Sequence, residues 1–393
     1  MKFATYFREK LLERRSRPLR RLPNPMKILQ IQTQAEAAGA QRVSDMIGAG
    51  LRARGHEVRT VFMYRKTAAY DEDPNAVFIS LRKPGNLLAR LAVTVALARY
   101  IRAERPDALI TYQHYGNVFG SIAGKLAKVR PIIANQSGNP GGTGFRRLAT
   151  WLDKLFGTFG IYQGIVVNSA ATQDAFSAYP HQYVRKLARI DHGVHTPPHT
   201  YDKNEARQLF GLPSDARLIV TTGRLAVGKN QHQLLEALCL LPDVHLALAG
   251  AGPLRAELED LSVALGVRPR VHFVGELPIK RIPIFLAAGD VFAFASTEET
   301  FGLSVVEAAI AGVPVIASDI PVLREVLAGL NGEWAAKFFE PGNVEDIAEN
   351  ARCVLSNYEL AIGLTKSGTQ LSRRYSPEEM VAAYDKLLRD AAV

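Results

Sequence analysis

Apolar runs of strand length alternate with segments of helical character along most of this 393-residue chain. A short apolar run bounded by turn residues is typical of a buried strand, and apolar residues three and four apart indicate a helix that covers it. The predicted strands are 26–31, 56–61, 106–111, 131–136 and 164–169 in the first half, and 218–222, 244–249, 271–275, 291–295 and 315–317 in the second. Because strands that alternate with helices form parallel sheets, the pattern predicts an α/β protein with two doubly wound domains.

The stretch 291–325 carries the most informative pattern. Its first strand is followed by a polar loop that holds Glu299, by a helix that begins near Phe301 and contains Glu307, and by a second strand. In open α/β sheets, ligands bind where strands end and helices begin. The first N–H groups of a helix have no partner within it, so those of 301–303 suit a phosphate. The two carboxylates would then flank an anion site without neutralising it.

The composition limits the classes of function. Lys and Arg number 48 against 38 acids, which gives a net charge of +10. Such a charge favours nucleic acid, an anionic membrane or phosphorylated substrates as partners. No basic cluster is interleaved with aromatic residues, so nucleic acid is not expected. Cys239 and Cys353 are the only cysteines, which argues against a disulfide scaffold and fits a reducing compartment. No apolar run reaches the ~18 residues of a membrane span, and no signal-peptide core is visible at the start.

The basic N-terminal extension, residues 1–25, has two interpretations. It holds eight basic residues and two acids, which gives +6. Phe3, Phe7 and Leu11 recur four apart, so the segment could form one apolar helix face that anchors the chain on anionic lipid. Alternatively, it is a solvated tail or lies upstream of a start at Met26. The weakness of the apolar pattern favours the second interpretation.

Two acids separated by seven residues, with Phe-Gly after the first and Ala-Gly-Val-Pro-Val at 311–315, form a recognisable motif. The motif resembles the donor signature of retaining GT-B glycosyltransferases, in particular the group called family 4. The resemblance implies two Rossmann-like domains that face each other across a cleft, with a nucleotide-diphosphate sugar bound between them. It also implies that Glu299 contacts sugar hydroxyls and that Glu307 contacts the ribose. The remaining donor-binding residues of the motif are then Thr300, Phe301, Gly302 and Leu303.

A second motif, Gly223-Arg224-Leu225, follows the predicted strand 218–222, and Lys229 lies six residues after Gly223. The resembling family has both cations at this spacing, where they contact the donor diphosphate. Cleavage of the sugar–phosphate bond places negative charge on the leaving diphosphate, which cations stabilise. Arg224 can form two parallel bonds to phosphate oxygens, and Lys229 supplies a point charge. The resemblance therefore implies Arg224 and Lys229 as catalytic residues beside Glu299, Gly223 as a donor-binding residue, and neither a metal nor another cofactor.

The first half offers weaker candidates. His114 follows the predicted strand 106–111, where a His of the resembling family faces the reacting centre. Gly39 lies in the predicted loop 33–42, where the backbone could approach the diphosphate. A structural His and an ordinary strand–helix turn remain equal alternatives. Asp71-Glu72-Asp73 matches a metal-binding Asp-x-Asp pattern, but it lies in an apparent loop, so a solvated acidic loop without a metal is expected.

The predicted domains are an acceptor domain, 26–198, and a donor domain, 199–376, with a last helix, 377–393, that crosses back to the first. The predicted function is transfer of a sugar from a UDP- or GDP-sugar to a hydroxyl of a saccharide or lipid-linked acceptor. Polysaccharide, lipopolysaccharide or glycolipid assembly at the cytoplasmic membrane face would use such a reaction, and the loop 137–147 is the candidate acceptor site. Two alternatives remain open: a nucleotide-sugar epimerase or hydrolase, and a non-catalytic scaffold of the same fold.

Overall fold

The structure is a computed structural model that describes residues 25–36, 38–136, 138, 140, 144–197 and 201–392. The predicted N-terminal anchor and part of the predicted acceptor loop lie outside the described residues. The strands are β1 (Lys27–Ala35), β2 (Glu57–Arg65), β3 (Ala76–Phe78), β4 (Ala108–Tyr112), β5 (Ile132–Asn135), β6 (Gly164–Val167), β7 (Leu187–Arg189), β8 (Arg217–Thr222), β9 (Val244–Ala249), β10 (Val271–Gly275), β11 (Val291–Phe294), β12 (Val315–Ser318) and β13 (Ala336–Phe339).

Helices follow most of these strands. They are α1 (Gly39–Ala53), α2 (Leu87–Glu104), α3 (Gln113–Tyr115), α4 (Ser121–Leu126), α5 (Gly144–Thr158), α6 (Ala170–Ala175), α7 (His181–Val184), α8 (Lys203–Leu209), α9 (Gln231–Cys239), α10 (Arg255–Ala264), α11 (Ile282–Ala287), α12 (Leu303–Ile310), α13 (Pro321–Val326), α14 (Val344–Ser356), α15 (Tyr358–Gln370) and α16 (Pro377–Ala392). Of the helices in the described ranges, none is long and apolar enough to cross a membrane.

The strands form two sheets with the same kind of topology. The first has the order β3-β2-β1-β4-β5-β6-β7 and the second the order β10-β9-β8-β11-β12-β13. Neighbouring pairs such as β1–β2, β8–β9 and β11–β12 run parallel. In each sheet the chain moves outward from its first strand and then returns to the other side, so the order reverses between β1 and β4 and between β8 and β11. This topology confirms the predicted α/β class with two Rossmann-like domains.

Contacts group the chain into two compact units. The first comprises the described residues up to Asn135, together with Trp151–Gly164 and the residues from Val381 onward. The second comprises the described residues of 136–150 and Ile165–Met380. The domain boundaries proposed above, at residues 198 and 376, stay a prediction.

The second unit has an apolar layer on each face of its sheet. Successive side chains of a strand point to opposite faces, and buried parallel strands are apolar on both. Phe292 and Phe294 of β11 accordingly belong to one buried cluster, while Val291 and Ala293 belong to the other. The continuous apolar run from which β11 was predicted therefore reflects burial on both sides, and it fixes the strand at the centre of the sheet.

In the first unit, α1 differs from its prediction. The predicted helix begins at Val43, but α1 begins at Gly39, and β1 continues to Ala35, so both elements extend into the predicted loop 33–42. Ala, Gln and Arg are good helix formers and occupy the added first turn, so a helix there is locally favourable. The predicted loop is too long because Gly39 indicates a break in the sequence pattern, whereas in the structure it is the first residue of α1.

Candidate active site

The loops that follow β8 and β11 meet at the point where the strand order of the second sheet reverses. β8 and β11 are hydrogen-bonded neighbours, with Ile219 paired to Val291 and Val220 to Phe292. Their carboxyl ends therefore lie side by side although they are far apart in sequence. Such a reversal leaves a crevice at the strand ends, which is the usual ligand site of this architecture.

Hydrogen bonds join the two loops directly. The carbonyl oxygen of Gly228 accepts from the Thr297 N–H at 3.0 Å and from the Ser296 hydroxyl at 3.0 Å. The side-chain amide of Asn230 donates to the Ala295 carbonyl at 3.1 Å. Gly228 and Asn230 both have positive φ, of 87° and 52°, and Gly adopts this conformation without steric cost. The loop after β8 is thus folded back so that Lys229, between these two residues, reaches the loop after β11.

Lys229 forms an ion pair with Glu299 at this junction. The Lys229 side chain is 27% exposed and that of Glu299 is 11% exposed. The Lys229 ammonium also lies 5.5 Å from the centre of the Phe294 ring, a favourable position for a cation over an aromatic face. The structure therefore brings together two of the predicted catalytic residues, and the charge of each compensates that of the other.

Helix α12 begins directly after Glu299, Thr300 and Phe301. Its N-cap, Gly302, has φ 81° and no side chain to cap the helix. A Cβ at Gly302 would meet Leu323 at 3.0 Å in addition to the strained φ, so the position requires glycine. The first N–H groups of α12 are therefore available to an anion beside Lys229. Glu307 lies one helical turn after Leu303, on the same side of α12, and is half-buried.

Arg224 lies in the first turn after β8, next to Gly223. Its side chain is exposed, and within the described ranges its guanidinium forms no hydrogen bond or ion pair. The backbone there packs closely on the loop after β9: a Cβ at Gly250 would lie 1.9 Å from the Gly223 carbonyl oxygen. Backbone packing therefore fixes the start of this loop, while the Arg224 guanidinium stays accessible to a ligand.

Three buried polar residues hold the other side of the same loop, and none was among the predicted site residues. The Asn168 amide donates to Thr300 Oγ1 at 3.2 Å, and the Ser169 hydroxyl donates to the Thr300 carbonyl at 2.7 Å. Asn168 and Ser169 were predicted only as a strand end. One signal in the sequence could have indicated them: they are polar residues at the end of a predicted buried strand. His114 was selected as a candidate because it follows a predicted strand in the same way.

His192 is the third residue of this buried cluster. Its Nε2 accepts from the Asn168 amide at 2.9 Å, and its ring lies 5.0 Å from that of Phe301. Acceptance at Nε2 places the proton of the neutral ring on Nδ1, which is buried without a hydrogen-bond partner within the described ranges. Burial lowers the pKa of His192 to about 4, so the ring is neutral near pH 7. The cluster is therefore uncharged.

The candidates of the first half lie in the first unit. His114 belongs to α3, immediately after β4, and is half-buried. Gly39 is the first residue of α1 and is exposed. Their roles toward a donor stay predictions. Asp71 lies in an exposed turn and pairs with Arg65, as a solvated acidic loop would. The described parts of the chain contain no group of metal-ligating side chains.

Comparison with known families matches both halves of the chain. Residues 202–371 match the family described as glycosyl transferases group 1, and residues 38–189 match the family described as glycosyl transferase 4-like domain. The first match includes Gly223, Arg224, Lys229, Glu299 and Glu307.

Individual relatives match over shorter lengths. The chain is 33% identical to an uncharacterized glycosyltransferase of Methanocaldococcus jannaschii over 161 residues, which cover 40% of this chain and 40% of that protein. It is 33% identical to the lipopolysaccharide core biosynthesis glycosyltransferase LpsE of Rhizobium meliloti over 187 residues, which cover 46% of this chain and 52% of that protein. The chain thus spans about half or less of the length of these curated relatives.

The crystal structure of HepE from Anabaena in complex with UDP and glucose has a similar fold. The TM-score is 0.80 at 21% sequence identity, over 93% of this chain and 100% of that chain.

Proposed function

Since this chain belongs to the GT-B glycosyltransferases of group 1, as the motifs predicted, we propose that it transfers a sugar from a nucleotide-diphosphate sugar to an acceptor hydroxyl with retention of anomeric configuration. The observation that carries the proposal is the junction of Lys229 with Glu299 beside the start of α12. A cation and a helix N-terminus at one strand-order reversal suit a diphosphate, and the adjacent carboxylate suits the hydroxyls of a sugar.

Each residue has a proposed role in this reaction. Lys229 and Arg224 hold the diphosphate and stabilise the charge that develops on it as the sugar–phosphate bond breaks. When the donor binds, Lys229 exchanges its ion pair with Glu299 for one with the diphosphate. Glu299 then accepts hydrogen bonds from the sugar hydroxyls. Glu307 holds the ribose of the nucleotide, one turn into α12.

The acceptor proton is proposed to pass to the leaving diphosphate. Its oxygen gains negative charge as the bond to the anomeric carbon breaks, and it lies on the face that the acceptor must approach for retention. The two cations supply the charge stabilisation that other transferases obtain from a metal, so the reaction is proposed to need no metal.

The donor is proposed to be a UDP-sugar, with a GDP-sugar as the other candidate. UDP and glucose are bound in the Anabaena structure, which is similar in fold. The acceptor is proposed to be a saccharide or a lipid-linked saccharide, since the relative LpsE is a glycosyltransferase of lipopolysaccharide core biosynthesis. The location is proposed to be the cytoplasmic face of the membrane, because the chain carries +10 and a lipid-linked acceptor would be held there.

A binding screen followed by product analysis tests the proposal. Thermal shift with UDP, GDP and ADP and their sugars identifies the base, and the preferred donor is then incubated with and without saccharide acceptors. We expect acceptor-dependent transfer and only slow hydrolysis without acceptor. Free epimerised sugar from donor alone would indicate an epimerase, and binding of partners without turnover of any donor would indicate a scaffold; either result rejects transfer.

A further inference from the structure

Helix α2 in the first unit presents large apolar side chains to solvent. Its buried side consists of Thr94, Leu97 and Ile101. Five large apolar residues on or just before its first three turns are between 45% and 77% exposed: Leu81, Leu87, Leu88, Leu91 and Val95. We call these five residues the α2 face.

Helix geometry explains why this face remains uncovered. At about 100° per residue, Leu87, Leu91 and Val95 lie within an arc of about 80°, and the centre of this arc is about 90° from that of the buried residues Thr94, Leu97 and Ile101. The buried side packs the helix onto the unit, and the α2 face remains largely exposed beside it. Contiguous apolar patches on a protein surface mark sites that contact another partner.

Positive charge surrounds the α2 face. Residues 81–105 contain six Lys or Arg and one acid, Glu104, so their net charge is +5. Arg82 and Lys83 come before the helix, and Arg99 and Arg102 continue the exposed side toward its end. Glu104 forms an ion pair with Lys27 at 2.6 Å, so its charge is compensated there and does not offset the charge of this surface.

A basic pocket lies at the end of α2. It has a volume of about 340 Å³, and four cations line it: Arg102, Arg105, Lys128 and Arg130. Asp107 is the acid in its lining, and its Oδ2 accepts from the Lys27 backbone N–H at 2.6 Å. Four cations around one pocket suit the phosphate of a lipid headgroup.

We propose that the α2 face and the basic pocket together dock this protein on the surface of an anionic phospholipid bilayer. The leucines enter the boundary between headgroups and acyl chains, and the cations contact the phosphates. The proposed location is thereby assigned to a surface that is distinct from the donor loops and from the N-terminal extension.

Charge distinguishes the bilayer from the other occupants of an apolar face. Residues 1–25 carry +6 and the whole chain carries +10. The extension and a second copy of the chain therefore both have the same sign as the α2 surface and are repelled by it. An anionic bilayer is complementary to both its apolar and its basic parts.

Vesicle flotation tests the proposal with the full chain. Vesicles of phosphatidylcholine alone are compared with vesicles that also contain phosphatidylglycerol. We expect binding to the anionic vesicles, weakened by salt. The triple variant Leu87→Ser, Leu88→Ser, Leu91→Ser should bind at least about tenfold more weakly, because each buried leucine adds to partitioning. A matched control, Val263→Ser, Tyr358→Ser, Ile362→Ser, removes exposed apolar groups of the second unit and should bind as the wild type does.

Four outcomes would overturn the proposal. The first two are that the wild type does not float and that the leucine variant floats as the wild type does. The third is that flotation is lost only when residues 1–24 are removed. The fourth is that light scattering finds a dimer for the wild type and a monomer for the leucine variant. Sugar transfer to a soluble acceptor without vesicles should be unchanged in the leucine variant. A failure of docking is thus distinguishable from a failure of the proposed transfer. A second variant, Arg102→Gln, Arg105→Gln, should lose the preference for anionic vesicles while it keeps its thermal unfolding midpoint.

Discussion

The loop from Glu299 to Gly302 is held in different ways on its two sides. On one side, Glu299 forms a partly exposed ion pair with Lys229. On the other, Thr300 and Phe301 contact a buried, uncharged cluster of Asn168, Ser169 and His192. Partly exposed ion pairs contribute about 0–1 kcal/mol, whereas leaving a buried polar group without its partner costs about 1–3 kcal/mol. The difference indicates a loop whose backbone is fixed and whose charged side chain can exchange its partner for a ligand.

The largest expected effect is on the charged side. Lys229→Ala should lower turnover ~100-fold or more, because the leaving diphosphate loses a cation in the transition state. Steady-state kinetics with the preferred donor measures this, and Lys280→Ala, an exposed lysine of the second unit, is the control. Near-normal turnover in folded Lys229→Ala protein would reject the role of Lys229. It would also mean that the charged side of the loop does not act in the reaction.

The buried side should respond in both stability and turnover. Asn168→Ala removes the hydrogen bonds to Thr300 and His192, so it should lower the free energy of unfolding by about 1–3 kcal/mol. Displacement of the Glu299 loop should lower turnover about tenfold. Denaturant unfolding and kinetics measure the two effects, with Asn204→Ala as an exposed control. Reduced stability with unchanged turnover would show that the buried cluster supports the fold but does not position the loop.

A smaller effect is expected at Glu307, in the helix that follows the loop. Glu307→Ala should weaken nucleotide binding about tenfold, the typical consequence of losing a charge-assisted hydrogen bond to the ribose. Calorimetric titration with the nucleotide measures the affinity, and Glu349→Ala on α14 is a matched helical control. Equal affinity of wild type and Glu307→Ala would limit the ligand-binding part to the loop itself.

The smallest effect concerns the neutrality of the buried cluster. The pKa of His192 is lowered by burial to about 4, below the unfolded value of about 6.5. Its contribution to stability is therefore fully present above about pH 6.5 and is lost as the pH falls toward about 4. Between about pH 7 and about pH 5.5, the wild type should lose about 1 kcal/mol that His192→Gln does not lose.

Urea unfolding at the two pH values measures this difference, and His181→Gln, an exposed histidine, should retain the wild-type slope. Identical slopes for the wild type and His192→Gln would mean that the ring is accessible to protons, and hence that the cluster is not sealed from solvent.

Local patterns predicted most of the described elements, and they selected the residues that are proposed for the charged side of the site. The apolar run 291–295 and the breaks at Gly312 and Pro314 predicted β11, α12 and β12 closely. Residue spacing selected Glu299 and Glu307 as candidates, since both lie within one strand–loop–helix unit, and their roles stay predictions. Helix α2 lies outside the predicted elements, because its apolar residues surround the helix and leave no clear amphipathic stripe.

The sequence by itself determined most of the segments that become strands and helices, and it selected the side chains that are candidates to meet a diphosphate, because both depend on periodicity and spacing over a few turns. Tertiary structure alone decided that Lys229 meets Glu299, 70 positions further along the chain, and that Asn168 and His192 reach Thr300. It also decided which apolar residues of α2 stay in solvent. These contacts follow from the order of strands in a sheet and from which helix faces are covered. Both are set by the packing of the whole apolar surface, which no local pattern records.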